Sequence, residues 1–92
     1  MAKIVVTAQV ENASKWEERF RTHGDLFRSQ TVLTPISFAV TGENEVAIYS
    51  EAEDLDTYME ILESDATTEA MAHDGIKRET VKVYVLDKEF KL

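Results

Sequence analysis

Strands that are apolar on both faces are the strongest constraint in this chain. Ile4, Val6, Ala8 and Val10 fall on one side of the first strand, with Val5 and Thr7 on the other. Val46 and Ile48 oppose Ala47 and Tyr49, and near the C-terminus Val81, Val83 and Val85 oppose Tyr84 and Leu86. Side chains alternate along a strand, so a sheet covered by helices on one face only should be polar on the other. Here both faces need cover, and the sequence offers two helical regions, enough for one face. A contiguous apolar patch of several hundred Å² is unusual on a soluble monomer. The simplest cover is a second copy, sheet against sheet, which predicts a two-fold homodimer through the sheet face.

The order of elements follows from local signals. Lys3 to Val10 reads as a strand; Asn12 caps a helix bearing Ala13, Trp16, Phe20 and Phe27 at helical spacing. Val32 to Val40 is a second strand in which Pro35 asks for an edge or a bulge. Thr41-Gly42-Glu43-Asn44 turns it into a third strand, Glu45 to Ser50. Asp54 caps a second helix with Leu55, Tyr58, Met59 and Leu62 on one face, Ser64-Asp65 restarts it, and Gly75 closes it. Glu79 to Asp87 is the fourth strand, followed by a tail whose Phe90 and Leu92 need cover. A shift of 42 residues superposes Asn12, Ala13, Trp16 and Phe20 on Asp54, Leu55, Tyr58 and Leu62. The result is a βαββαβ repeat, an α+β ferredoxin-like plan with a four-stranded antiparallel sheet, in one domain over residues 1–92.

Charge narrows the partners. The net charge is −8, and no Lys or Arg occurs between Glu43 and Ile76. Such a surface repels a phosphate backbone and an anionic bilayer, so neither nucleic acid nor a membrane is an expected partner. The chain has no Cys, which removes disulfides, thiol nucleophiles and zinc–thiolate sites. The opening MAKIVVTAQV is too short an apolar run for a signal peptide, and a cytoplasmic protein is expected.

With Trp16, Phe20 and His23 in the first helix, and Leu62-Glu63-Ser64-Asp65, Met71 and Gly75-Ile76 leading into the last strand, the chain resembles the dimeric α+β barrel superfamily. Its best-known members are the antibiotic-biosynthesis-monooxygenase-like proteins. The resemblance implies a small-molecule pocket between sheet and helices. It also implies, for many members, catalysis with no metal or organic cofactor. The haem-degrading branch fits poorly: Ser64-Asp65 and Glu69-Ala70 match its second-helix motif, but Met71 stands where its histidine follows, and strand one offers Thr7 and Gln9 rather than asparagine.

His23 is the candidate acid or base, since an imidazole changes charge near neutral pH. The competing reading makes it a cap at the end of the first helix, before Gly24. Trp16 and Phe20 are candidate walls of a substrate pocket that also serve as core. Tyr49, Tyr58 and Tyr84 are candidate donors to an oxygen-bearing substrate, or amphipathic residues at element borders. His73-Asp74 has the composition of a base with its orienting carboxylate, but neighbours on a helix do not face each other, and a helix terminus accounts for the pair. Glu51, Glu53, Asp54 and Asp56 lack the glycine turn and distal Glu of a calcium loop, so no metal is expected. Arg19, Arg21 and Arg28 balance Glu17, Glu18 and Asp25, or steer an anionic substrate. The functional expectation is a cofactor-independent monooxygenase, cyclase or isomerase acting on a small apolar or aromatic molecule. The alternative is a non-catalytic ligand-binding or interaction module of the same fold.

Overall fold

Three capping side chains set the starts of the helices. Asn12 Oδ1 accepts from Lys15 N at 3.0 Å, Asp54 Oδ1 from Thr57 N at 3.1 Å, and Ser64 Oγ from Thr67 N at 3.4 Å. Each satisfies an amide that the first turn leaves free. In the computed structural model, which describes residues 1–92 apart from the Thr34 side chain, the elements run β1 Ala2–Gln9, α1 Ala13–Phe20, α2 Gly24–Ser29, β2 Val32–Val40, β3 Glu45–Ala52, α3 Leu55–Leu62, α4 Asp65–Asp74 and β4 Lys82–Val85. Gly75 ends α4 with φ +75°, the left-handed conformation that glycine adopts without a Cβ penalty.

The four strands form one antiparallel sheet in the order β2-β3-β1-β4. Pairing of Val6 with Ile48 and Val83, and of Phe38 with Ile48, puts these residues on one face. Val5 pairs with Tyr49 and Tyr84 on the other. Both expectations for Pro35 hold. β2 is an edge strand, and its register against β3 shifts between Leu33 and Ser37.

The core lies under the inner face in two clusters, one of Ala8, Val10, Trp16, Phe20 and Val46, the other of Ile4, Val32, Ala52 and Tyr58. Trp16 is fully buried, stacked on Phe20 at 4.7 Å between ring centroids and edge-on to Phe38 at 5.6 Å. An aromatic of this size removes about 150–250 Å² from water, worth up to about 4–6 kcal/mol. The outer face is not equally covered: Tyr84 and Leu86 are each nearly half exposed, and Phe90 and Leu92 in the tail are fully so.

Two boundaries differ from the sequence reading. The first helix does not run on to His23. It stops at Phe20, the Thr22 hydroxyl donates to Arg19 O at 2.6 Å, and the chain turns into the separate short helix α2. The turn brings Phe27 against Phe20, with centroids 5.2 Å apart. The fourth strand is also shorter than Glu79 to Asp87: Arg78–Thr80 coil into a 3₁₀ turn, where Thr80 Oγ1 donates to Lys77 O and accepts from Gln9 N at 2.8 Å. Among the described residues, no helix is long and apolar enough to cross a membrane.

Candidate functional site

Because α1 ends early, His23 caps neither helix with its side chain. It stands at the N-terminal boundary of α2, with φ −97° and ψ 27°, and makes no side-chain capping bond. The imidazole instead reaches across to α4, where Nε2 lies 2.9 Å from Asp74 Oδ1. The packing of α1 beside α4 makes this possible, pinned by Arg19 Nη1 donating to the carbonyl of His73 at 2.8 Å. On the sheet side, Glu11 N donates to Gly75 O and Lys77 N to Gln9 O, both at 2.9 Å, fixing the end of α4 against β1.

The adjacent histidine joins the same carboxylate. His73 Nδ1 is also 2.9 Å from Asp74 Oδ1, and the two imidazoles meet edge to face at 5.8 Å between centroids. The expectation that His73 and Asp74 cannot face each other therefore fails. It holds within a regular helix, but these residues occupy the last turn before the left-handed Gly75, where side chains are not held against a following turn. Asp74 is buried, its side chain 4% exposed, while those of His23 and His73 are 20% and 60% exposed. A carboxylate oxygen can only accept, so neutral His23 carries its proton on Nε2 and leaves Nδ1 as its lone pair. Such a partner fixes the tautomer and orientation of an imidazole.

His23 and Asp74 form part of the wall of a cavity of about 80 Å³ between the inner face of the sheet and the helices. Phe20, Phe27, Tyr58 and Met71 contribute to its largely apolar lining. Gln30, Ser50 and Thr67 are polar groups on the same wall, all three buried. Tyr58 is the one predicted tyrosine that lines this space. Burial pushes its phenol above the ordinary value, and the neighbouring Ser50 hydroxyl pulls part of the way back.

The other predicted residues sit elsewhere. Trp16 is packed behind Phe20 and is not part of the cavity wall; its Nε1 is buried with no hydrogen-bond partner among the described residues. Tyr49 lies on the outer face and donates to Glu51 Oε1 at 3.0 Å. Partial burial, followed by the Glu51 carboxylate, holds its phenol above the usual value. Tyr84 is on that outer face too, opposite Val5. Arg21 and Arg28 pair with Glu17 and Asp25 at 3.3 and 2.6 Å on the exposed side, as balancing charges do.

Sequence reasoning weighed Asp74 only as the neighbour of His73 at a helix terminus and missed it as the partner of His23. One signal was present: a carboxylate in the last turn of a helix opposes the macrodipole and calls for a compensating partner.

No family model and no curated protein matches this chain. Solved structures do. A protein from Bordetella bronchiseptica, provisionally named an antibiotic biosynthesis monooxygenase, superposes with a TM-score of 0.73 at 13% identity, covering 97% of each chain. SnoaB from Streptomyces nogalater, a cofactor-independent oxygenase, superposes with a TM-score of 0.68 at 16% identity, over 99% of this chain and 95% of its own. The fold is theirs. The monooxygenase encoded by ActVA-Orf6 of Streptomyces coelicolor, solved with the ligand nanaomycin D, has the same architecture at a TM-score of 0.62 and 14% identity, covering 99% of this chain and 89% of that one. The ferredoxin-like α+β plan and the likeness to antibiotic-biosynthesis-monooxygenase-like proteins expected from sequence are thus found in three dimensions.

Proposed function

We propose that this protein is a small-molecule enzyme of the cofactor-independent oxygenase type, with His23 as its base and Asp74 as the group that positions it. The observation that carries this reading is the 2.9 Å contact between His23 Nε2 and the buried Asp74 carboxylate at the wall of an apolar cavity. An electron-rich aromatic with an ionisable hydroxyl or methylene fits the chemistry. His23 takes the proton, and the substrate anion reduces dioxygen directly, so the substrate is its own electron donor. For a methylene flanked by aromatic rings, one oxygen atom becomes the new carbonyl and the other leaves as water with the two methylene hydrogens. Tyr58 supplies a hydroxyl on the same wall. The cofactor-independent activity of SnoaB, a protein of the same fold, supports the reaction class.

Oxygen consumption with anthrone and dihydroxynaphthalenes tests the reading. Turnover by the native chain, lost in His23→Ala and Asp74→Asn variants that remain folded, is expected. Equal turnover in the His23→Ala variant removes His23 as the base.

A second reading is supported by size. A cavity of about 80 Å³ is smaller than the roughly 150 Å³ that accommodates benzene. A ring can enter only if the half-buried Leu26 and Phe27 of α2 move outward. If α2 stays in place, the protein is a binding or interaction module with a filled interior. Calorimetry showing no uptake of any aromatic at millimolar concentration would favour that alternative.

The assembly belongs to the same proposal. Val5, Tyr49 and Tyr84 on the outer face form an apolar surface suited to a second copy of the chain, and the exposed Leu86, Phe90 and Leu92 that follow β4 are further apolar groups in need of cover. Native mass spectrometry at micromolar concentration should give a dimer; a monomer there would refute this part.

A further inference from the structure

The way two imidazoles converge on one carboxylate oxygen has a use beyond orienting a base. We infer that His23, His73 and Asp74 form a binding site for a divalent transition-metal ion, such as zinc, cobalt or nickel. Three side chains contribute one donor atom each, and the three donors lie within 4.8 Å of one another. Ions of this class bind imidazole nitrogen and carboxylate oxygen at about 2.0–2.2 Å. Two such donors in neighbouring positions are then about 3.0 Å apart in octahedral and about 3.4 Å apart in tetrahedral coordination. The two nitrogen-to-oxygen distances here are both 2.9 Å, close to these values, while the two nitrogens, within 4.8 Å of each other, draw together as an ion displaces the two hydrogen bonds.

Donor chemistry selects the ion. Two nitrogens and one oxygen suit zinc, nickel, cobalt or iron(II), whereas calcium and magnesium want an all-oxygen shell. Three protein donors leave coordination positions open. A route in exists because His73 is mostly exposed, while the buried Asp74 holds the negative charge that the ion neutralises. The carbonyl of His73 is fixed by Arg19 Nη1 at 2.8 Å, so the α4 donors are held in place before an ion arrives. That guanidinium is a cation opposing the site; the chain's net charge of −8 acts in the other direction. The acidic run from Glu51 to Asp56 lacks the pattern of a metal loop, and the sequence therefore predicts no metal. The donors instead come from two distant segments.

A regulatory consequence rests on the proposed function: an ion on His23 Nε2 sends the imidazole proton to Nδ1, the nitrogen that would take the substrate's proton, so metal uptake silences turnover. Titration of the purified, metal-stripped protein with cobalt(II), read by visible d–d absorption, and with zinc(II), read by calorimetry, tests the site without any substrate. One ion per chain is expected, with affinity falling by at least about 100-fold in His73→Ala, the upper end of what even outer-shell changes do at metal sites. His73 is exposed, so that variant folds. Absence of cobalt bands and zinc heat at submillimolar metal, or unchanged affinity in His73→Ala, overturns the site. If the ion binds at His23, His73 and Asp74 yet turnover continues, the metal site stands and the assignment of His23 as base fails.

Discussion

His23 and Asp74 are 51 residues apart in the chain and 2.9 Å apart in the fold, Nε2 to Oδ1. The carboxylate is almost fully buried and the imidazole mostly so. Removing Asp74 leaves the largely desolvated His23 imidazole without this partner, at a cost of about 1–3 kcal/mol. Asp74→Ala should therefore lower stability by about that amount in urea denaturation. His73→Ala, which loses an exposed contact to the same oxygen, should change it by less than about 0.5 kcal/mol. Equal effects from the two variants would show that Asp74 is not held by His23.

Trp16 offers a test of the core. Trp16→Ala should cost about 3–5 kcal/mol, as truncations of a fully buried aromatic do. Trp16→Phe should cost less than half as much, because it also removes a buried N–H that has no partner among the described residues. Chemical denaturation of both variants checks this. Similar losses in the two would mean that the indole N–H is satisfied in solution.

Gly75 and Gly42 form a matched pair. An added Cβ at Gly75 meets Glu11 atoms no nearer than 3.5 Å, so the cost of Gly75→Ala comes from φ +75° and should be about 1–2 kcal/mol. At Gly42 nothing lies within 4 Å and φ is not positive, so Gly42→Ala should stay within about 0.5 kcal/mol of neutral. Thermal melts of the two variants decide it, since about 1 kcal/mol moves the midpoint by about 4–8 °C in a chain of this size.

Tyr58 gives the pH dependence a sign. Its phenol is raised above the ordinary value in the folded chain, first by burial, while the unfolded chain titrates near 10. Below pH about 10 both states are neutral and the contribution of this group to stability is intact. As pH rises further the unfolded state ionises first, and stability falls until the folded phenol ionises too. Urea titrations in the alkaline range should show this decline, and Tyr58→Phe should flatten it. An equally steep decline in that variant would assign the effect to another group.

The sequence by itself determined the frame. Asn12, Asp54 and Ser64 announce three helix starts, Gly75 a stop, and Pro35 a bulged edge strand, because each acts on backbone groups within a few residues of itself. The period-two pattern likewise gave the faces of the sheet, since alternation is a property of the strand alone. The end of α1 was less legible: Trp16, Phe20 and Phe27 keep helical spacing although the helix breaks at Phe20, because two short helices can bury the same stripe.

Only the tertiary structure decided the site. Whether His23 faces solvent or the cavity depends on how α1 lies beside α4, and on where Arg19 meets the carbonyl of His73. Trp16 and Phe20 look alike on a helical wheel, yet Phe20 lines the cavity and Trp16 stands behind it. His73-Asp74 reads as a helix end, and becomes part of a three-residue cluster only because His23 arrives from another segment. Local backbone chemistry is written in neighbouring residues; a polar cluster assembled across 51 positions is set by packing, which no short window of sequence contains.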